Sequence, residues 1–293
     1  MPVGRLYLLP VPLTQPEQGL ATLSPASIEQ ARRLSHFVVE NPKSARQFLR
    51  AIQHPQPLPS LSLQTLSVQT RAEECPALLQ PLLQGHDMGL LSEAGCPAVA
   101  DPGSLLVSLA HERGITVVPT VGPSALLLGL MASGLNGQRF AFHGYLPVAE
   151  GARHAEIGRL EQESARLQQT QIIIETPYRN PVMWAALCAT LKPTTLLTVA
   201  RDLGGAGEWV KTMTVAAWRT VAVPELQRIP AVFLWLAVSQ KPLPESKAAH
   251  ARHGNQRHGQ QAGNGAGATS QDDKVSRKRR KTSGSGADKS RTR

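Results

Sequence analysis

Short apolar runs alternate along most of the chain with longer stretches whose apolar side chains recur at helical spacing. The runs predict strands over Arg5–Val11, His36–Glu40, Leu61–Ser67, Met88–Leu91 and Ile115–Pro119, the last read as buried. Between them, Ser24 followed by Pro25 opens a helix to about Ser35, because serine accepts a backbone N–H and proline tolerates the first helical position. Pro42–Ile52 and Ala72–Gln84 predict two more helices. Asp101, Pro102 and Gly103 start another by the same cap-and-proline logic, with Asp101 as the cap. An almost wholly apolar helix runs from Ser124 and stops at Gly134. Strands alternating with helices in this way predict a mostly parallel sheet covered by helices on both faces.

The pattern resumes with a strand at Phe140–Tyr145, a hinge over Leu146–Gly151 and a long polar helix from about Ala152 to Gln168. Strands at Gln171–Glu175, Thr195–Ala200, Trp209–Thr214 and Ala231–Val238, with a helix at Pro181–Leu191, predict a second, mixed α/β domain whose strand order is not legible. The expected division is 1–146 for an N-terminal domain, 147–240 for a C-terminal domain and 241–293 for a tail.

Open parallel sheets bind ligands in the crevice at the carboxyl ends of their strands. Three loops in the first part suit that place: Pro10–Thr14, Ser92–Gly103 and Thr120–Ala125, each small, stiffened by proline and short of charge. Such loops present backbone N–H and C=O groups to a flat, largely apolar ligand with a few polar handles.

Composition narrows the choice of chemistry. The 293 residues carry a net charge of +10, but from Lys241 onward there are 13 basic and 4 acidic residues, so the tail holds +9 and the body +1. A tail rich in Gly, Ser, Gln, Asn and His cannot bury enough surface to order itself, and its cluster Arg277–Lys281 is a nonspecific polyanion binder. Cys75, Cys96 and Cys188 show no CxxC pairing, which points to a reducing cytoplasm without disulfide or zinc frameworks. The first residues lack a cleavable leader and no apolar run spans a bilayer, so no membrane association is expected. No G-x-G-x-x-G follows the first strand and no phosphate-binding GxxxxGK[ST] occurs, which disfavours nicotinamide, flavin and nucleotide-hydrolysing enzymes. The nine histidines show no ligand spacing, so no metal is expected.

Five segments carry a family resemblance: SEAGCPAVADPG (Ser92–Gly103), VVPTVGPSA (Val117–Ala125), FHGYLP (Phe142–Pro147), ETPYRN (Glu175–Asn180) and VARDL (Val199–Leu203). At these spacings they resemble the S-adenosylmethionine-dependent tetrapyrrole (corrin/porphyrin) methylase superfamily, nearest its ribosomal RNA small subunit methyltransferase I branch, which methylates a cytidine ribose 2′-oxygen. The resemblance covers about residues 3–238 and excludes the tail. It implies a two-domain fold with S-adenosylmethionine in the cleft between domains, usually in a homodimer, and an RNA substrate in the small ribosomal subunit. By motif position it implies cofactor contacts at Pro12, at Ser92, Glu93, Ala94 and Gly95, at Asp101 and Gly103, at Ser124 and Ala125, and at Leu146, Pro230 and Ala231. Three segments depart from the branch. PVPLTQ stands where it carries a TPIGN-type loop, ENPKSAR (Glu40–Arg46) where it has an acidic EDTR-like run, and Gly204, Gly205 and Gly207 where it places a basic residue.

Methyl transfer from a sulfonium is an in-line displacement with an activated leaving group, so alignment and exclusion of water are the protein's main contributions. A hydroxyl acceptor also gains from a nearby base. Glu175, Arg179, Arg201 and Asp202, at predicted strand ends of the second domain, are the catalytic candidates; the competing reading pairs Glu175 with Arg179 and Arg201 with Asp202 to fix turns. Arg179 and Arg201 also offer guanidinium forks for phosphates of an RNA strand. Two alternatives stay open: a tetrapyrrole or other small-molecule acceptor, and a non-catalytic RNA-binding protein, although 4% aromatic content supplies little stacking surface.

Overall fold

The structure, a computed structural model, describes residues 2–71 and 73–237. The predicted basic tail, 241–293, lies outside the described residues.

The first sheet joins β1 (Leu6–Leu8), β2 (His36–Val39), β3 (Ser62–Thr65), β4 (Met88–Leu91) and β5 (Val117–Pro119) in the order β3-β2-β4-β1-β5, all parallel. Every strand is shorter than or equal to its predicted run. β1 stops at Leu8 because Pro10 and Pro12 have no N–H to continue a ladder, and Val11 between them makes a single bridge instead. β5, expected to be buried, is an edge strand only partly covered, a place that tolerates Pro119.

One face of this sheet packs Phe37, Val39 and Leu9 against α2 (Pro25–Arg33) and α3 (Pro42–Ala51), through Phe48 and Leu49. Both helices begin as their sequences dictate: Ser24 Oγ accepts from Ser27 N at 3.0 Å and Asn41 Oδ1 from Lys43 N at 2.9 Å. A short α1 (Pro16–Gly19) precedes them. The opposite face packs Leu6, Val38 and Leu90 against α4 (Cys75–Leu78), α5 (Gln80–Leu83) and α6 (Gly103–Glu112). The single helix predicted over Ala72–Gln84 is thus two one-turn helices. Pro81 causes the break, since it lacks a donor and its ring would press on the carbonyl of Ala77, whereas Pro76 sits in the first turn of α4, where a missing donor is tolerated.

The second sheet has the order β6-β7-β10-β8-β9, formed by β6 (Phe140–Phe142), β7 (Thr170–Glu175), β8 (Leu196–Arg201), β9 (Trp209–Thr214) and β10 (Ala231–Leu236). Only β6 and β7 run parallel; β10 enters antiparallel between β7 and β8. Helices α8 (Glu150–Leu167), α9 (Asn180–Thr190) and α10 (Val215–Trp218) cover one face through Ile157, Trp184 and Trp218. The apolar α7 (Ala125–Ser133) covers the other, with Leu130 against Ile172, Val232 and Leu234, and it ends at Gly134 in the left-handed conformation (φ 69°). The passage between sheets therefore lies in the loop between β5 and α7; the expected division at 146/147 falls inside the second layer, because α7 and β6 already belong to it. Both sheets fall within one compact unit of the chain.

Candidate active site

The loops after β1, β4 and β5 meet at the carboxyl end of the first sheet. Val11 and Gly95 exchange both backbone hydrogen bonds, at 3.0 and 3.1 Å. The hydroxyl of Thr120 donates to Leu8 O at 2.8 Å, that of Ser27 to Val121 O at 2.7 Å, and the thiol of Cys96 to Pro123 O at 3.3 Å. Burial pushes the Cys96 thiol up, away from the thiolate form.

The main loop carries unusual backbone: Gly95, Ala98 and Ala100 have φ of 75°, 66° and 62°. For the two alanines this conformation costs energy that the surroundings must offset. The Asp101 carboxylate does so, accepting from Ala98 N at 2.9 and 3.0 Å and from Gly103 N at 2.7 Å. Burial raises the Asp101 carboxyl, while these two N–H groups pull it back. The helix behind starts at Gly103, with Pro102 as its cap residue, so Asp101 braces the loop as well as the helix start. A β-carbon at Gly103 would lie 2.8 Å from Asp101 Oδ1 and 2.9 Å from Leu90 Cδ2, which is why the position is bare.

A cleft of about 440 Å³ opens beside these loops, within the range of small-molecule sites. Val11, Pro12, Leu13 and Thr14 form one wall, and Ser92, Glu93 and Ala94 another. α3 adds Ser44, Gln47 and Phe48, and the second sheet closes the cleft with Asp202, Gly205, Ala206 and Pro230. Asp202 follows β8 in the left-handed conformation (φ 49°); its N–H donates to Pro230 O at 2.9 Å and its carboxylate accepts from Gly207 N at 2.7 Å. A side chain at Gly205 would collide with that carboxylate. The glycine run is thus the partner of a carboxylate that its loop wraps.

Of the expected cofactor contacts, Pro12, Ser92, Glu93, Ala94 and Pro230 line the cleft. Gly95, Asp101 and Gly103 shape the loop behind it, and Ser124 and Ala125 begin α7. Leu146 is buried in the core of the second sheet, away from the cleft wall, and Ala231 sits in β10 between Glu175 and Arg201.

Of the catalytic candidates, only Asp202 faces the cleft. The Glu175 side chain is fully buried: Oε1 accepts from Thr176 N at 2.7 Å and Oε2 meets Arg179 Nη2 at 3.0 Å. This is the turn-fixing pair. The matching pair between Arg201 and Asp202 does not form. Arg201 lies over the Trp209 ring at 5.7 Å and donates to Glu225 O at 3.2 Å, while Asp202, just past the end of β8, turns away in left-handed backbone. Both guanidinium groups expected to grip phosphates are therefore held elsewhere.

Sequence reasoning missed the α3 wall. Ser44 stands one turn before the adjacent Gln47 and Phe48 along the edge of a buried face, a spacing that was legible but carried no sign of a ligand. It also left Glu40 without a role. Glu40 Oε2 accepts from Glu93 N at 2.9 Å, and burial, with Asp101 and Glu93 adding repulsion, raises its carboxyl. The phenol of Tyr145 is raised, by burial first and then by the fields of Glu175 and Glu40. Among the described residues no cluster of His, Cys, Asp and Glu could hold a metal, and no helix is long and apolar enough to cross a membrane.

No family model matches the chain. It is 33% identical over 226 residues to ribosomal RNA small subunit methyltransferase I of Xylella fastidiosa, covering 77% of this chain and 78% of that protein. It is 31% identical over 201 residues to the protein of the same name from Synechocystis, covering 69% and 67%. Among solved structures it is similar to the methyltransferase CobJ, with a TM-score of 0.55, 15% identity and coverage of 82% of this chain and 97% of that one. The last likeness is one of fold.

Proposed function

Because the chain belongs to the family of ribosomal RNA small subunit methyltransferase I and is a methyltransferase, we propose that it methylates small-subunit ribosomal RNA at a ribose 2′-oxygen, using S-adenosylmethionine held in the cleft between the two sheets. The observation that carries the reading is the convergence of the loops after β1, β4 and β8 on one cleft of about 440 Å³. Its lining fits the cofactor: Pro12, Leu13, Ala94 and Phe48 offer an apolar bed, while Ser92, Ser44, Glu93 and Asp202 offer polar handles.

When bound there, the cofactor supplies a methyl group on a positively charged sulfur. The chain's own part is alignment: proline-stiffened loops pinned by the Val11–Gly95 bridge hold the walls at fixed separation, so little ordering is left to be done on binding. Asp202, anchored through Gly207 N and Pro230 O, presents negative charge to a cationic ligand without swinging. A cytoplasmic homodimer completes the reading. Leu127 and Met131, one turn apart on α7, are 52% and 78% exposed, and a second copy would cover them.

Calorimetry with S-adenosylhomocysteine tests the cofactor half, with one site per chain expected. Absence of heat and of any thermal shift at millimolar ligand contradicts it.

A further inference from the structure

Rotating around α3 at about 100° per residue takes one from the core to the cleft and then to solvent. Ala45, Phe48 and Leu49 are buried, Ser44 and Gln47 line the cleft, and just beyond Gln47 come Lys43, Arg50 and Arg46, all exposed. Lys43, Arg46 and Arg50 stand at i, i+3 and i+7, so they form one stripe about 10 Å long. Helix α3 contains no acidic residue, and no described carboxylate pairs with any of the three. A local charge of +3 stands out in a body whose total is +1. Meanwhile Arg179, in the turn after β7, and Arg201, at the end of β8, are engaged by Glu175 and by Trp209 with Glu225.

We propose that Lys43, Arg46 and Arg50 form a phosphate-binding stripe that lays a single-stranded RNA segment along the rim of the cleft, with Gln47 as the step from stripe to pocket. The inference rests on the RNA reading above and adds the surface that would present the acceptor. Three cations in a row with no described carboxylate partner match successive phosphates of one strand, and they lie on a helix that also lines the cleft. Like other phosphate contacts, they position the strand without reading its sequence.

The test uses the full chain with Lys43, Arg46 and Arg50 changed to Gln, beside a control carrying Arg113→Gln, Arg166→Gln and Lys192→Gln, the same charge loss at exposed positions elsewhere. Binding of a single-stranded oligoribonucleotide is measured against salt, and KM is measured for small-subunit ribosomal RNA. The stripe variant should lower the salt slope by about 2, roughly 0.7 per lost contact, and raise KM about tenfold, with S-adenosylhomocysteine affinity retained. The control should move neither. Equal behaviour of the two variants overturns the stripe. If the unaltered chain methylates no RNA yet the stripe variant alone loses slope, the stripe stands as a polyanion site and the acceptor reading falls.

Discussion

Arg179 lies 3.0 Å from Glu175 across the turn that follows β7, and the carboxylate it meets is fully buried. The guanidinium is itself partly exposed, so the pair belongs between the surface and buried limits. Arg179→Ala should destabilise the protein by about 3 kcal/mol, because it strands a buried charge. Adding Glu175→Gln should recover much of the loss, since a neutral amide has less to lose in that site. Denaturant midpoints of the two variants check this; equal stability of both with the unaltered chain would refute the structural role.

Gly95 has φ 75° and a β-carbon there would come within 3.1 Å of Leu13 Cδ2, in the cleft wall. Gly95→Val should cost about 2 kcal/mol of stability, for a branched side chain forced into left-handed backbone. It should also abolish S-adenosylhomocysteine binding, because the displaced Leu13 enters the cleft. Thermal melts with and without ligand separate the effects: a destabilised variant that keeps its full ligand-induced shift would assign Gly95 to the turn alone.

The local chemistry of the chain was largely legible and its long-range geometry was not. Ser24 and Asn41 before Pro25 and Pro42 mark helix starts that the structure keeps, because a cap depends on residues within one turn. Pro81 was equally local, and the broken helix was readable from it. By contrast, the insertion of β10 between β7 and β8 depends on pairing across long stretches of chain, which no local period encodes. The same distinction runs through the site. The cleft-lining loops after β1 and β4 are marked by glycine, proline and small residues, the third marked loop, Thr120–Ala125, contributes no residue to the cleft lining, and the α3 wall was not legible, since Ser44 and Gln47 become cleft residues only through packing. Asp202 and Arg201 looked equivalent in sequence; one left-handed residue sends the first into the cleft and leaves the second on Trp209.

Asp202→Asn keeps the volume and removes the charge that holds Gly207 N and faces the cleft. A charge-assisted hydrogen bond is worth about 2 kcal/mol, and the amide retains part of it. S-adenosylmethionine affinity should fall about tenfold, which corresponds to about 1.4 kcal/mol, and S-adenosylhomocysteine, which lacks the sulfonium charge, should lose less. Calorimetry with both ligands checks the difference; equal losses would mean that Asp202 acts only through the loop.

Burial, reinforced by the His86 ring at 4.8 Å, lowers the pKa of His36 from 6.5. A depressed folded-state pKa favours the native state above the unfolded value, and that stability is lost as pH falls through the folded one. The protein should therefore weaken from just above pH 6.5 downward. His36→Phe should flatten that part of the profile, measured by denaturation midpoints at successive pH values; an unchanged profile would remove His36 as its source.

Methyl transfer to ribose in small-subunit ribosomal RNA is open to direct measurement. The direct measurement supplies the full chain with tritiated S-adenosylmethionine and undermethylated small-subunit RNA, then digests the RNA to nucleosides for mass spectrometry. Label is expected in a single 2′-O-methylated nucleoside. Label in a small-molecule acceptor instead, or none in RNA while the chain demonstrably binds the cofactor, would contradict it.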